Sequence, residues 1–124
     1  MYQGGIIWLS PSYQVFKDDV LVWTPTKNYT AADMVELFID ANANVTASIM
    51  QDVEKYKELL DPPGVPTYCI FGYNTSTLYA IGFNQTGNFD YPYDEVRVDG
   101  DGTMTTLGLE ICSSWVSFEI CKKK

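Results

Sequence analysis

The run Asp61-Pro62-Pro63-Gly64 divides the chain into two halves that obey different periodicities. Proline has no amide hydrogen and its ring collides with the preceding turn, so no helix continues through two of them. Upstream, apolar residues recur at helical spacing. Thr30 is placed to cap a helix whose first turn carries Asp33, an acidic residue suited to the positive end of the dipole. Met34, Leu37, Phe38 and Ala41 fall on one face of that helix. Thr46 is placed to cap a second helix with the stripe Ile49, Val53, Tyr56 and Leu60. Ahead of both, Val20-Leu21-Val22-Trp23 is a short apolar run stopped by Thr24-Pro25, and reads as a strand.

Downstream of the break the pattern turns to β. Thr67-Tyr68-Cys69-Ile70-Phe71-Gly72 is β-prone without polar alternation beyond its start, which predicts a strand buried on both faces. Thr77 to Phe83 and Asp94 to Val98 read as two further strands, with Val96 and Val98 on one face. The polar, glycine-bearing segment between them predicts a hairpin. There is no internal repeat, and Lys122-Lys123-Lys124 reads as a solvated end.

The chain has 124 residues, enough for one domain, and at 46% hydrophobic and 15% aromatic it can bury a core. Trp8 and Trp23 read as members of that core. The net charge of −8 repels phosphates, so nucleic acid is excluded as a partner and anionic membrane is disfavoured outside a local patch. Histidine is absent, so no Ser-His-Asp, Cys-His or histidine–metal site can be completed within these residues. Cys69, Cys112 and Cys121 form no CxxC pair, which argues against zinc. No cofactor and no metal are expected.

Four sequons stand out, at Asn28, Asn44, Asn74 and Asn84, and together they point to a secreted or lumenal protein. The start, "MYQGGIIWL", lacks the basic residues and the apolar length of a signal peptide. No run approaches the roughly 20 apolar residues of a membrane span. Secretory marks without a leader predict that N-terminal residues are missing from this sequence.

The segment Val98-Asp99-Gly100-Asp101-Gly102-Thr103 is the most informative loop, and its residues leave three readings open. A calcium loop of EF type wants oxygen ligands at its first, third, fifth and twelfth places and glycine at the sixth. Counted from Asp99, the first, third and twelfth are Asp99, Asp101 and Glu110, but the fifth is Thr103 and the sixth is Met104. A plain Asp-Gly turn is the second reading. A carboxylate presented on a loop after a strand, to orient a histidine from elsewhere, is the third.

Four stretches resemble one family, in order along nearly the whole chain. "TPTKNYTAADMVELF" at Thr24 to Phe38 looks like the TP-x-x-NYT segment of the lecithin:cholesterol acyltransferase and lysosomal phospholipase A group. "PPGVPTYCIFG" at Pro62 to Gly72 resembles its PPGV-x-x-YC-x-YG strand, "DGDGTM" at Asp99 to Met104 its DGD-x-TV loop, and "LEICSSW" at Leu109 to Trp115 its EL-C-x-x-W. The resemblance implies an α/β class chain, a partial α/β-hydrolase fold. Residues 1–64 would form part of the cap, with its two helices. Residues 65–124 would form the C-terminal part of the core: a strand, a β-hairpin and the acid loop. It implies that Asp101 is the acid of a catalytic triad, with Asp99 a supporting or turn residue. It also implies a Cys69–Cys112 disulfide, which in the chain-entropy picture stabilises by roughly 4 kcal/mol. Cys121 has no counterpart and is read as free or paired between chains.

The family's nucleophilic serine elbow lies upstream of anything in this sequence and its histidine lies downstream. Its glycine- and proline-rich stretch after the YG strand is replaced by "YNTSTLYAIGF". The implied function is acyl transfer from a glycerophospholipid to a lipid alcohol or water. The chain would supply one triad member and be inactive alone, so whether it is itself an enzyme stays open. Lipid is the implied substrate, with contact at a membrane or lipoprotein surface and the missing N- and C-terminal parts of the same fold as partners. The implied location is secreted or lysosomal. The alternatives are a secreted, disulfide-linked binding module with calcium as a candidate ligand, and a non-catalytic relic.

Overall fold

A computed structural model of the chain describes residue 7, residues 9–57 and residues 61–115. Trp8, Leu60, Cys121 and the lysine run at 122–124 lie outside the described residues. The protein is α/β: a mixed four-stranded sheet with helices. In chain order the elements are helix α1 (Tyr13–Phe16), strands β1 (Val22–Trp23) and β2 (Asn28–Tyr29), a 3-10 turn (Ala31–Asp33), helices α2 (Met34–Asp40) and α3 (Asn44–Lys57), strands β3 (Thr75–Gly82) and β4 (Asp94–Gly100), helix α4 (Thr106–Leu109) and a 3-10 helix (Glu110–Trp115).

The sheet runs β2-β1-β3-β4 and takes strands from both sides of the proline break. β1 and β2 pair antiparallel, Val22 opposite Tyr29, across a turn in which Pro25 follows Thr24 and the Thr24 amide donates to the Lys27 carbonyl at 2.8 Å. β1 and β3 pair in parallel, Val22 beside Ile81, because the chain crosses over through α2 and α3 between them. β3 and β4 form the expected antiparallel hairpin, with an irregularity between Leu78 and Ala80.

Thr30 does open the helical segment. Its Oγ1 accepts from the Ala32 amide at 3.3 Å while the Asp33 carboxylate accepts from the Thr30 amide at 2.8 Å, a reciprocal cap. Asn42, at φ 57°, turns the chain between α2 and α3. The second helix starts at Asn44, not after Thr46, so Thr46 sits inside its first turn instead of capping it. Its buried face is Ala47, Met50 and Val53, whereas the expected Tyr56 is 55% exposed. The stripe therefore lies one step around the helix from the expected one, with Met50 at its centre.

Two apolar clusters hold the layers together. Ile7, Met34, Met50 and Val53 pack between the helices, and Val22, Tyr29 and Phe83 pack on the sheet beside Phe89; Leu37 touches both. The Phe83 and Phe89 rings meet edge-on at 5.1 Å. Trp23 is half-buried and its indole donates to the Tyr93 hydroxyl at 3.3 Å.

The Thr67–Gly72 run is not a buried strand. It joins no strand of the sheet, and Tyr68 and Ile70 are 87% and 92% exposed. A strand exists by pairing its backbone groups, and no described segment forms a ladder with this one.

Candidate functional site

The acid loop is built where β4 ends. Gly100 is buried there, and a Cβ on it would stand 2.3 Å from the Met104 carbonyl oxygen and 2.5 Å from Thr77 Oγ1. Only glycine lets the loop close this tightly over β3. Gly102 takes φ +97°, a conformation other residues adopt at a cost. Between the two glycines, the Asp101 amide donates to the Met104 carbonyl at 3.1 Å, and Gly100 and Thr105 bridge antiparallel.

Asp101 is exposed, and its carboxylate does two things at once. Oδ1 accepts from the Met104 amide at 2.7 Å and from the Thr103 amide at 2.8 Å, which fixes the side chain against its own loop. Those backbone donors, Met104 first and Thr103 second, hold the carboxyl below its ordinary range, so it is ionised at neutral pH. Oδ2 carries no hydrogen bond among the described residues. The arrangement is a clamped, charged carboxylate with one oxygen available to a donor.

Asp99 faces the other way. Its Oδ1 accepts from the Asn74 amide at 2.6 Å and its Oδ2 from the Thr106 hydroxyl at 3.1 Å. It thus ties the loop to the start of β3 and to α4. The two aspartates do not converge, and among the described residues no group of three or more acidic, cysteine or histidine side chains gathers as a metal site.

Sequence reasoning missed Thr77. It is fully buried in β3, its Oγ1 accepts from the Gly102 amide at 2.9 Å, and it donates to the Thr75 carbonyl at 2.9 Å. The bond reaches across 25 positions of sequence, so no local pattern signals it.

The cysteine pair lies beside this loop. Cys69 and Cys112 are joined by a disulfide with Cα atoms 5.7 Å apart. Together with the Asn74–Asp99 bond it lays the exposed Thr67–Gly72 run along the acid loop, and a Cβ on Gly72 would touch Asp101 Cβ at 3.4 Å. The four sequon asparagines stand apart from one another: Asn28 in β2, Asn44 at the start of α3, Asn74 just before β3 and Asn84 just after it. All four are exposed. No described helix is long and apolar enough to cross a membrane.

No family model matches the chain. Individual proteins do. Over 109 residues, 87% of its length, the chain is 30% identical to a phosphatidylcholine-sterol acyltransferase of Gallus gallus and 31% identical to one of Eliomys quercinus, covering 26% and 36% of those proteins. It is also 30% identical over 114 residues, 89% of its length, to a lysosomal phospholipase A and acyltransferase of Mus musculus, covering 26% of it. The chain is homologous to one segment of this acyltransferase and phospholipase family. It spans about a quarter to a third of the curated relatives it matches.

Proposed function

We propose that the chain is part of a lipid acyltransferase or phospholipase A of the serine-hydrolase type, and that it contributes the triad acid, Asp101. The observation that carries this reading is the half-used carboxylate: one oxygen held by two backbone amides, the other without a hydrogen bond from another of the described residues, the group ionised. A triad acid must hold a histidine's tautomer and stabilise its imidazolium without itself becoming protonated, and a carboxylate with a low pKa meets that demand. The serine and histidine come from parts of the enzyme outside these residues, since the chain has no histidine. The reaction is attack of the serine on a glycerophospholipid ester, followed by passage of the acyl group to water or a lipid alcohol.

On this reading residues 1–64 belong to the cap and residues 65–124 to an α/β-hydrolase core that other segments complete. The substrate surface is a membrane or lipoprotein. The exposed sequons at Asn28, Asn44, Asn74 and Asn84 support a glycoprotein of the secreted or lysosomal lumen.

The test has two arms. The purified 124-residue chain is assayed on phospholipid vesicles and a chromogenic ester, with no turnover expected. The chain is then exchanged for the matching segment of the Mus musculus relative, and Asp101→Asn in that chimera is expected to lower kcat about 10,000-fold. A chimera that turns over equally well with and without the carboxylate would overturn the assignment.

A further inference from the structure

We infer that the outer edge of β4 is an interface for a second copy of this chain, paired antiparallel about a two-fold axis at Val96. β4 is the last strand of the sheet and, among the described residues, forms its ladder with β3 alone. Residues 94–99 are all exposed, Val96 and Val98 at 42% and 38%. Both faces of the strand and its outer edge therefore meet water, a ready template for another strand. At Gly100 the edge closes. Gly100 pairs with Thr75 on the β3 side and bridges antiparallel to Thr105 on the other. The stretch open to a partner is residues 94–99.

Charge chooses both the occupant and the register. Residues directly opposite in an antiparallel pair lie on one face, so the two-fold axis passes through a residue that meets its own copy. With Val96 on the axis, Glu95 faces Arg97 of the second copy and Arg97 faces its Glu95. Asp94 faces Val98, and valine meets valine. An axis at Arg97 would set two arginines together and Glu95 against Asp99. An axis at Glu95 would set two carboxylates together. An axis at Val98 would need Gly100, whose outer side Thr105 already takes. Opposite charges across a ladder stabilise it and like charges oppose it, so the Val96 register is the one the sequence favours. Arg97 is the chain's one arginine. It reaches Glu95 of its own strand through Nε at 3.0 Å and Nη2 at 2.9 Å, and its remaining N–H groups can serve a second carboxylate. The Glu95 and Arg97 side chains of two copies thus make a square of alternating charge on one face.

The ladder is short and its interface falls below the size of a stable dimer's, so association is weak, with a dissociation constant on the order of 100 μM. The net charge of −8 on each chain opposes it at long range. Salt at about 0.15 M screens that repulsion more than it screens pairs in contact. Neither lipid nor catalysis enters the pairing, and the two acid loops stay outside the ladder at its opposite ends.

Sedimentation of the 124-residue chain between about 10 μM and about 1 mM should show a monomer–dimer equilibrium. Arg97→Glu and Glu95→Arg should each weaken the dimer about tenfold or more. Both side chains are exposed, so the Tm of either variant should stay near the parent's. The double swap Glu95→Arg with Arg97→Glu should bring the dimer back to within about threefold of the parent. In a Cys121→Ser background, Val96→Cys should give a covalent dimer on treatment with diamide, because the two Cβ atoms stand about 5 Å apart on the axis. Val98→Cys, about four residues from its own copy along the ladder, should stay monomeric on the same treatment. A monomer over the whole range, a dimer indifferent to Arg97→Glu, no rescue by the double swap, or equal cross-linking at 96 and 98 would each overturn the proposal. So would slow amide exchange along β4 in a chain that sediments as a monomer, which would mean that another segment of the same chain covers the edge.

Discussion

Thr67–Gly72 and Thr75–Gly82 are two β-prone runs separated by two residues, and they meet opposite fates. The second pairs on both sides, parallel to β1 and antiparallel to β4, and buries Thr77, Ala80 and Gly82. The first stands outside the sheet with Tyr68 and Ile70 almost fully exposed. Their compositions barely differ, so intrinsic preference does not separate them. What separates them is partners. β-propensity describes a side chain's fit to a pleated, half-buried surface, and that surface exists only where neighbouring strands supply it. The Thr67–Gly72 run is held instead by the Cys69–Cys112 bond within it and, two residues beyond it, by Asp99 on the Asn74 amide. It is a strand by sequence and a tethered ribbon by structure.

Cutting the tether gives the largest expected effect. The disulfide spans 43 positions, and removing it by Cys69→Ala with Cys112→Ala should lower stability by about 4 kcal/mol in a urea melt. Amide exchange then sharpens the contrast. The amides of Tyr68 to Gly72 should exchange quickly even with the bond intact, while those of β3 stay protected. Protection of the two runs to the same degree would erase the distinction drawn above.

The next effect compares a core residue with a ribbon residue. Met50 is fully buried between α2 and α3, and Met50→Ala should cost about 3 kcal/mol through lost transfer energy and a cavity. Ile70→Ala removes a similar side chain that is 92% exposed and should change stability by less than about 0.5 kcal/mol. A large loss at Ile70 would mean that a surface covers it in solution.

The same contrast explains what could be read from sequence. The reciprocal cap of Thr30 and Asp33 and the β3–β4 hairpin are local, carried by residues within a few positions, and both were legible. Met50 was missed because the helix begins at Asn44, two residues before the expected cap, and small changes of phase rotate a stripe off its face. The exposure of Thr67–Gly72 was illegible because a sequence does not print a strand's neighbours. At the acid loop, Asp101 emerged from a family resemblance and not from its own chemistry, which had left calcium, a turn and catalysis open. Thr77 was invisible, since it acts across the fold.

Thr77 supplies the third comparison, between a loop held by a strand and one left to itself. Thr77→Val keeps the shape in β3 but strands the Gly102 amide, and should cost about 2 kcal/mol; Thr77→Ser should recover most of it. If valine is tolerated as well as serine, the loop's geometry rests on its own Asx turn and not on β3.

The smallest effect is electrostatic and isolates that Asx turn. The Met104 and Thr103 amides hold the Asp101 carboxyl below its ordinary range, so its folded pKa lies under its unfolded value near 3.9. A depressed folded pKa means the unfolded chain takes up a proton first on acidification. The stabilisation is therefore fully present above about pH 4 and drains away as pH falls through the folded value. The group is exposed, so solvent screens the effect and the slope is shallow. Asp101→Asn keeps an oxygen that can accept both amides but has no proton to gain. Its melting temperature should stay close to the parent's at neutral pH, and its decline below about pH 4 should be flatter. Identical acid slopes for the two proteins would mean that the amides do not distinguish charge from shape, and that the low pKa needed of a triad acid comes from somewhere other than this turn.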